Sequence, residues 1–383
     1  MEINNLFTQR RWATWALAVA VILAVLGYGV GRGLKIGDLE PGAPELRPSS
    51  RYNQDNSYIT AHYAASSDAY VVMVRTQPFQ CNTYESLAAI DALEWELQQL
   101  PQVESTRSFS GFAKQASVGM NEGSFHWFDI PRNQGQLNSV ANRGAPRELI
   151  NQNCDLVTLY AYLTDHKAES LEGVVKVVSD FATRHNSDKI KFLSAAGSAG
   201  IEAATNIVVK EADRKILWLV YAAVTILAFV VFRSVRAVAC AIIPLVVTTL
   251  LAEALMVLLG IGVKVATLPV IALGVGIGVD YALYVLTVTL AELRRGKTLS
   301  QAYYSALLFT GKVVVLTGLT LSGAVCIWAA SPIKFQADMG LLLAFMFLWN
   351  MLGALILLPA LAHFLLEPAA RTKRTPQTVV PSA

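Results

Sequence analysis

A single carboxylate interrupts a long apolar stretch of the sequence. Asp280 is the only charged residue between positions 265 and 291, and Lys264 and Glu292 bound the stretch. An ionised aspartate at the centre of a membrane helix costs about 2.5 to 3.5 kcal/mol on insertion scales, so such residues usually face a bundle interior and mark a path for ions or protons. The chemistry that Asp280 predicts is therefore reversible protonation inside a membrane.

Glycines surround Asp280 at spacings that suit helix packing. At about 100° per residue, Gly276 and Tyr284 lie on the same helix face as Asp280. The neighbouring face carries Gly274, Gly278 and Tyr281. Small residues at such spacings let the backbone of another helix approach closely. We therefore expect Asp280 to meet another helix rather than lipid, with one of the two tyrosines donating a hydrogen bond to it. An aspartate that only holds two helices together is the alternative.

The same string of glycines also resembles a dinucleotide-binding fingerprint. That fingerprint requires a strand, a tight turn and a helix within a βαβ unit. Here the glycines lie inside an apolar run of 27 residues, which at about 1.5 Å per residue is long enough to span a bilayer. The nucleotide interpretation is therefore disfavoured.

Few other polar residues occur in the apolar runs. Glu253 is a candidate second relay residue, or a side chain that merely reaches water. The candidate hydrogen-bond partners of Asp280 are Thr317, Thr320, Ser322 and Asn350. Serine and threonine in membrane helices often bond their own backbone carbonyls instead.

The composition is that of a membrane protein with a sizeable polar part. Hydrophobic residues make up 54% of the 383 residues, charged residues only 15%, and the mean hydropathy is +0.44. This balance is too apolar for an ordinary soluble chain. Charge-poor runs of about 17 residues or more, long enough for a spanning helix, occupy residues 12–31, 216–232, 237–263, 265–291, 313–333 and 339–366.

Basic residues predict the orientation of these six spans. The short loops on one side of the membrane contain only Lys264 and Lys334. The loops and tails on the other side contain Arg10, Arg11, Arg233, Arg236, Arg294, Arg295, Lys297, Lys312, Arg371, Lys373 and Arg374. By the positive-inside rule, tails at residues 1–11 and 367–383 are cytoplasmic and residues 32–214 lie outside. The first span is expected to be a retained anchor, because a signal-peptide core has only about 7 to 15 residues.

The region outside the membrane has an α/β pattern. Strand composition occurs at residues 69–76, 103–109, 155–163 and 190–195, and helical spacing at residues 83–100 and 168–184. The two resulting βαβ units predict a ferredoxin-like α/β sandwich with an insertion at residues 110–154. The Pro- and Gly-rich residues 35–58 are expected to form a linker without regular structure. Residues 201–214 are expected to form a helix that couples this domain to the second span.

The predicted sandwich brings two cysteines together. Its first and third strands are antiparallel neighbours; Cys81 follows the first strand and Cys154 precedes the third. An oxidising compartment favours a disulfide between them, worth on the order of 4 kcal/mol in the chain-entropy model. Two free, buried thiols are the alternative. Cys240 and Cys326 lie in apolar runs and are expected only to pack.

No pattern indicates an enzyme, a metal site or a bound cofactor. His62, His126, His166 and His185 are scattered without a nucleophile in a known motif, so we expect exposed or hydrogen-bonded structural histidines. The aromatic residues 125–128 are expected to form core or to line an apolar pocket. Residues 292–312 fit an amphipathic helix on the inner leaflet. No basic cluster interleaved with aromatics suggests nucleic acid as a partner.

The arrangement resembles one half of a resistance–nodulation–division transporter, in particular the bacterial MMPL-like exporters of hydrophobic and amphiphilic molecules. One span precedes a large α/β domain and five more spans follow it. Gly-Val-Gly-Ile-Gly-Val-Asp280-Tyr281 lies in the fourth span, and Phe335-Gln-Ala-Asp-Met-Gly340 leads into the sixth. The similarity covers nearly the whole chain.

The resemblance implies proton-driven export of lipids or other amphiphiles across the bacterial inner membrane. It makes Asp280 the proton acceptor, with Tyr281 beside it, and implies a porter-type outer domain and a sterol-sensing-like bundle at residues 215–366. Complete family members have twelve spans in two halves, whereas this chain has six. A second half is therefore expected, as a copy of this chain, a separate chain or the upstream half of a longer protein. The alternative function is a non-transporting lipid sensor or an accessory subunit, for example in protein translocation.

Overall fold

The computed structural model describes residues 9–63 and 66–366. The predicted tail at residues 367–383 and residues 1–8 of the other tail lie outside the described residues. The chain divides into two compact units: an α/β domain at residues 37–208, and a membrane unit made of the chain up to residue 36 and from residue 209 onward.

The helices alternate with four strands in the first half of the chain and follow one another in the second half. The strands are β1 (Ala69–Thr76), β2 (Val103–Arg107), β3 (Leu156–Leu163) and β4 (Ile190–Ala196). The helices are α1 (Arg10–Gly31), α2 (Arg51–Tyr63), α3 (Tyr84–Gln98), α4 (Phe109–Met120), α5 (Gln134–Arg143), α6 (Ala168–His185), α7 (Gly197–Phe232), α8 (Val235–Leu259), α9 (Leu268–Arg294), α10 (Leu299–Ala306), α11 (Lys312–Cys326), α12 (Lys334–Leu352) and α13 (Leu358–Leu365).

The α/β domain is built on one antiparallel sheet with the strand order β2-β3-β1-β4. The first and third strands are antiparallel neighbours, and Val72 lies opposite Leu159. Alternate side chains along β3 are buried, as expected for a sheet with one covered face. The covering helices are α3 and α6, whose apolar residues recur every three or four positions and join one core: Leu87, Ile90, Leu93 and Leu97 from α3, and Leu171, Val174, Val178 and Phe181 from α6.

The segment predicted to be an unstructured linker is partly helical. Helix α2 occupies its second half, and Asn53 on this helix is buried. The Asn53 side chain accepts a hydrogen bond from the backbone N–H of Ala43 at 2.8 Å and donates to the carbonyls of Ala43 and Arg47 at 3.2 and 3.1 Å. The prediction was wrong because one asparagine satisfies the polar backbone of the preceding Pro- and Gly-rich loop, which composition does not reveal.

The insertion at residues 110–154 contains helices α4 and α5. Ser108 is the N-cap of α4, and the buried carboxylate of Glu94 accepts hydrogen bonds from Ser108, from Ser110 at 3.1 Å and from Thr106 at 2.8 Å. These bonds attach the insertion to α3. The aromatic residues 125–128 are not core: a 3₁₀ turn exposes Phe125, Trp127 and Phe128.

Within the part of the chain that the structure describes, six helices are long and apolar enough to cross a membrane. They span Arg10–Gly31, Gly197–Phe232, Val235–Leu259, Leu268–Arg294, Leu299–Ala330 and Lys334–Leu365. The six predicted spans thus correspond to six helices, and the chain is a multi-pass membrane protein. The second helix starts earlier than its apolar run, because the helix predicted at residues 201–214 and the second span form one helix of 36 residues.

Two of the long helices contain π turns, at Leu307–Gly311 and at Gly353–Leu357. The first π turn joins α10 to α11, so the segment predicted as a separate amphipathic helix is the beginning of the fifth spanning helix. Its apolar face is buried in the membrane unit through Ala302, Tyr303 and Ala306. The Tyr303 hydroxyl donates a hydrogen bond to the carbonyl of Leu355 in the second π turn.

Candidate functional site

Helix α9 carries the candidate site, and local signals define both of its ends. The Thr267 hydroxyl accepts a hydrogen bond from the backbone N–H of Lys264 at 2.9 Å just before the helix, and Pro269 occupies its first turn. A proline there sacrifices no helical hydrogen bond. After the helix, Gly296 adopts a positive φ of 87°, which ends the helix at little cost because glycine has no Cβ.

One face of α9 is packed against its neighbours through glycines. A Cβ atom on Gly274 would collide with Met346 of α12, and one on Gly278 would lie 2.5 Å from Asn350 and 2.6 Å from Leu245. The Asn350 amide donates a hydrogen bond to the carbonyl of Gly274 at 2.8 Å. Both glycines are therefore required for the close approach of α9 to α12 and α8.

The opposite face of α9 is uncovered in this chain. A Cβ atom on Gly276 would meet no atom of the described residues within 4 Å. Asp280 is exposed, and so is Tyr284, at 53% of its surface. Among the described residues, no hydrogen bond or ion pair reaches the Asp280 carboxylate. The helical phase predicted from the sequence is correct: Gly276, Asp280 and Tyr284 form one outward stripe.

Tyr281 is buried, although it is adjacent in sequence to Asp280. Its side chain is 1% exposed and belongs to the core of the membrane unit. Its hydroxyl has no hydrogen-bond partner within the described part of the chain. The two residues of the Asp-Tyr pair thus have different surroundings, one outside the six-helix bundle and one inside it.

The predicted partners of Asp280 make their described hydrogen bonds elsewhere. The Thr320 hydroxyl donates to the carbonyl of Leu316 at 2.7 Å, and Ser322 donates to the carbonyl of Ala344 at 3.2 Å. The side-chain amide of Asn350 donates to the carbonyl of Gly274, as described above. Thr317 is half-buried. The relay roles of these residues stay predictions, and the structure brings none of their hydroxyl or amide bonds to Asp280.

Glu253 lies in a different part of the membrane unit. It is half-buried on α8 and close to α1, because a Cβ atom on Gly31 would lie 3.5 Å from its Oε2 atom. Its predicted relay role stays a prediction.

An apolar cleft separates α7 from α9 within the membrane unit. It is lined by apolar residues, including Leu217, Ile271 and Val275, together with Asp213. The sequence did not indicate this cleft, because its two walls are about fifty residues apart in the chain.

The α/β domain contains the predicted disulfide between Cys81 and Cys154. Their Cα atoms are 5.0 Å apart, and the bond links residues separated by 73 positions. The backbone N–H of Cys81 also donates to the carbonyl of Cys154 at 3.1 Å. The alternative of two free thiols is wrong in this structure, since the antiparallel pairing of β1 and β3 places the cysteines side by side.

The histidines differ from one another more than the sequence suggests. His62 and His185 stack on Tyr58 and Phe181. His166 is 5% exposed, and its Nδ1 atom lies 2.9 Å from the Asp68 carboxylate. Burial disfavours the charged imidazole, but the hydrogen bond and charge of Asp68 outweigh it and raise the pKa of His166. Within the described ranges no group of His, Cys, Asp and Glu has a geometry that could hold a metal ion.

Comparison of the sequence with known proteins identifies the family of this chain. The MMPL family matches residues 43–378, most of the sequence, and the chain belongs to that family. A membrane protein of Streptomyces coelicolor, SCO6666, is 36% identical over 89 residues. This alignment covers 23% of the present chain and 13% of that protein, so the relative is the longer of the two.

Proposed function

We propose that this chain is one six-span half of a proton-driven exporter of hydrophobic or amphiphilic molecules, with Asp280 as the residue that binds and releases the proton. The observation that carries the proposal is the outward stripe of Gly276, Asp280 and Tyr284, which combines a carboxylate with a flat, open helix surface. MMPL family membership supports a transporter-type role in general.

The stripe accounts for the second half that the proposal requires. A carboxylate facing lipid is costly, whereas one facing another helix can be hydrogen-bonded and reached by protons. Gly276 leaves room for that helix at the position of closest approach. The second half is a copy of this chain, a separate chain or the upstream part of a longer protein; the greater length of the Streptomyces relative is compatible with the last of these.

Proton coupling needs a carboxylate that titrates between two access states. A full elementary charge crossing the membrane field gains about 2.3 kcal/mol per 100 mV. Asp280 lies near the middle of α9, so its charge moves relative to that field when access changes. Tyr284 lies on the same exposed stripe and is positioned to donate a hydrogen bond to Asp280 once a partner helix excludes water. Tyr281 lies next to Asp280 in sequence but inside the bundle.

The finer architecture follows from the same proposal. The α/β domain is a ferredoxin-like, porter-type domain, supported by its two βαβ units and the strand order β2-β3-β1-β4. It lies in the bacterial periplasm, a compartment compatible with the Cys81–Cys154 disulfide, and the chain termini are cytoplasmic.

The test is carbodiimide labelling of Asp280 in native membranes across a pH series, read by peptide mass spectrometry. The reagent modifies protonated carboxyl groups in apolar surroundings. We expect labelling that falls with a midpoint well above the ordinary aspartate pKa of about 3.9. Glu211, an exposed carboxylate paired with Lys215 on α7, is the internal reference and should remain unlabelled. Absence of Asp280 labelling at every pH would favour the sensor or accessory-subunit alternative.

A further inference from the structure

One face of the sheet in the α/β domain points away from the core that the sheet forms with α3 and α6. Because side chains alternate along a strand, this face carries the residues that lie between the core residues of each strand. We call it the open sheet face. Its charged and large apolar residues in the three strands β1, β3 and β4 include Met73, Arg75, Tyr160, Tyr162, Lys191 and Leu193.

Two cations lie side by side on the open sheet face. Arg75 of β1 is directly opposite Lys191 of β4, and both are exposed. Residues paired in this way have Cβ atoms about 4.5 to 5.5 Å apart, and like charges in such positions destabilise a sheet. Among the described residues, neither side chain forms an ion pair or a hydrogen bond. By contrast, Arg107 of β2, on the same face, pairs with Glu148 at 2.9 Å.

The acidic side chains that adjoin this pair in the strand register are engaged elsewhere. Asp155 precedes the residue opposite Arg75 on β3, and its carboxylate accepts a hydrogen bond from the Asn151 side chain. Glu85 pairs at 3.6 Å with Lys189, two residues before the strand cation Lys191. The repulsion between the two opposed cations is therefore not relieved by these carboxylates.

Apolar side chains continue the open sheet face beyond the two cations. The next pair along β1 and β4 is Met73 with Leu193, and Leu193 is 40% exposed. Val71 follows on β1, opposite Tyr160 of β3. The ring of Tyr160 stacks on that of Tyr162, with centroids 6.3 Å apart and planes within 16°. The face thus has a cationic end and an apolar body.

This division of charge and apolar surface selects one kind of ligand. A phosphate or carboxylate can accept charge-assisted hydrogen bonds from a guanidinium and an ammonium group at once. An apolar chain attached to it would cover the side chains of Met73 and Leu193. A stable protein interface takes about 20 to 30 residues from each partner, so these few residues fit a single small amphiphile better than another protein.

We propose that the open sheet face binds one anionic amphiphile, with its phosphate or carboxylate between Arg75 and Lys191 and its apolar chain along Met73, Leu193 and Tyr160. The inference rests on the proposed function, because it names anionic amphiphiles as the class of substrate for that exporter. The bound anion relieves the repulsion between the cations, and the chain removes apolar surface from water. A neutral amphiphile provides only the second effect, and a free anion only the first.

The first experiment is photolabelling of the full-length protein in phosphatidylcholine nanodiscs with a long-chain fatty acid that carries a diazirine. Peptide mass spectrometry locates the label, and no proton gradient is applied. We expect saturable labelling of β1 and β4 that dodecyl phosphate suppresses, and that dodecanol and inorganic phosphate at the same concentration do not. Labelling confined to other elements, or suppressed equally by dodecanol or by inorganic phosphate, would overturn the proposal.

The second experiment tests the two cations one at a time. Arg75→Gln and Lys191→Gln should each weaken the competition by dodecyl phosphate about tenfold or more, as expected for the loss of one charge-assisted hydrogen bond. Lys176→Gln removes the same charge from an exposed position on α6 and should leave the competition unchanged. Because the two cations repel each other, neither of the first two variants should unfold at a lower denaturant concentration than the starting protein.

The remaining outcomes separate this proposal from its competitors. If Lys191 resists acetylation before any probe is added, and this face cross-links to another chain, the face is a protein interface and the proposal fails. It also fails if both cation variants bind normally while Asp280 titrates as expected. If the variants lose binding but Asp280→Asn still exports, the proton-driven exporter is refuted and the binding site is not.

Discussion

The side-chain amide of Asn350 donates a hydrogen bond of 2.8 Å to the backbone carbonyl of Gly274, which precedes Asp280 by six residues on the same helix. The bond joins α12 to the inner face of α9 and fixes the rotation of α9 about its axis. With Gly274 and Gly278 turned inward, Asp280 must point away from the bundle. Asn350 was predicted to be a partner of Asp280; its described bond instead determines where Asp280 faces.

Replacing Asp280 by asparagine should abolish transport while leaving the protein folded. The amide is nearly isosteric with the carboxyl group but does not bind and release a proton near neutral pH. Uptake of a labelled amphiphile into inverted membrane vesicles, together with the thermal unfolding midpoint, measures both effects. Thr287→Val is the matched control, because Thr287 is exposed on the same stripe and its described hydrogen bond goes to the carbonyl of Leu283 within the same helix. Proton-dependent export by the Asp280→Asn protein would exclude the proposed role.

Two glycines on α9 should respond differently to the same substitution. Gly278→Leu forces a side chain into Asn350 and Leu245, and such overpacking costs about 1 to 3 kcal/mol. The leucine side chain of Gly276→Leu enters open space in this chain. The free energy of unfolding in detergent should therefore stay within about 0.5 kcal/mol of that of the starting protein.

The same pair of variants tests the docking of a second half. Gly276→Leu should disrupt assembly with the partner, measured by cross-linking in membranes, because it fills the space reserved for the partner helix. If both variants unfold at the same denaturant concentration, or if Gly276→Leu assembles normally, the outward stripe is not the docking face.

Removing the disulfide should destabilise the α/β domain. In the chain-entropy model, a link that closes a loop of 73 residues contributes about 4 kcal/mol. The double variant Cys81→Ser with Cys154→Ser should therefore be cleaved by protease at clearly lower denaturant concentrations. Cys326→Ser, which alters an exposed thiol of the membrane unit, is the control. Equal protease resistance of the double variant and the control would contradict this expectation.

The stability of the α/β domain should fall as the pH rises above neutrality. Burial opposes the charge on His166, but Asp68 prevails and raises its pKa. A group with a raised folded-state pKa contributes stability that is present below its unfolded pKa of about 6.5 and is lost as the pH rises through the folded value. Denaturant titrations near pH 6 and near pH 8.5 should show this loss.

The histidine variants identify the source of that pH dependence. His166→Gln should flatten it, and His126→Gln, at an exposed position, should leave it unchanged. A protein whose stability increases with pH in this range would show that His166 does not gain charge on folding.

Parts of this molecule follow from short-range patterns in the sequence. Length and hydropathy define the six spans because a bilayer requires about 20 apolar residues of helix, and 100° per residue suffices to place Asp280 and Gly278 on different faces of α9. The cysteine pair followed from one strand adjacency. Each of these inferences needs only local periodicity or a single topological rule.

Other parts depend on contacts that no local pattern contains. Asp68 and His166 are 98 positions apart, so the identity of the partner could not be inferred from spacing, although an exposed or hydrogen-bonded histidine was expected. Asn53 organises the loop before α2 through bonds to Ala43 and Arg47, which a composition rich in Pro and Gly does not predict. Phe125 is exposed in a 3₁₀ turn, which an aromatic composition does not predict.

The π turn of the fifth spanning helix explains a break in its buried pattern. Buried positions recur at steps of three or four up to Ala306; the next is Gly311, five residues on, and steps of three or four then resume at Val314. In a regular α-helix the extra residue would rotate everything after it by about 100°. The π turn absorbs that residue, so both ends of the helix keep one face toward the same neighbours. Deleting one residue from this turn should therefore leave a regular α-helix whose two buried faces are still in phase, whereas inserting one residue would turn half of the packing surface out of phase.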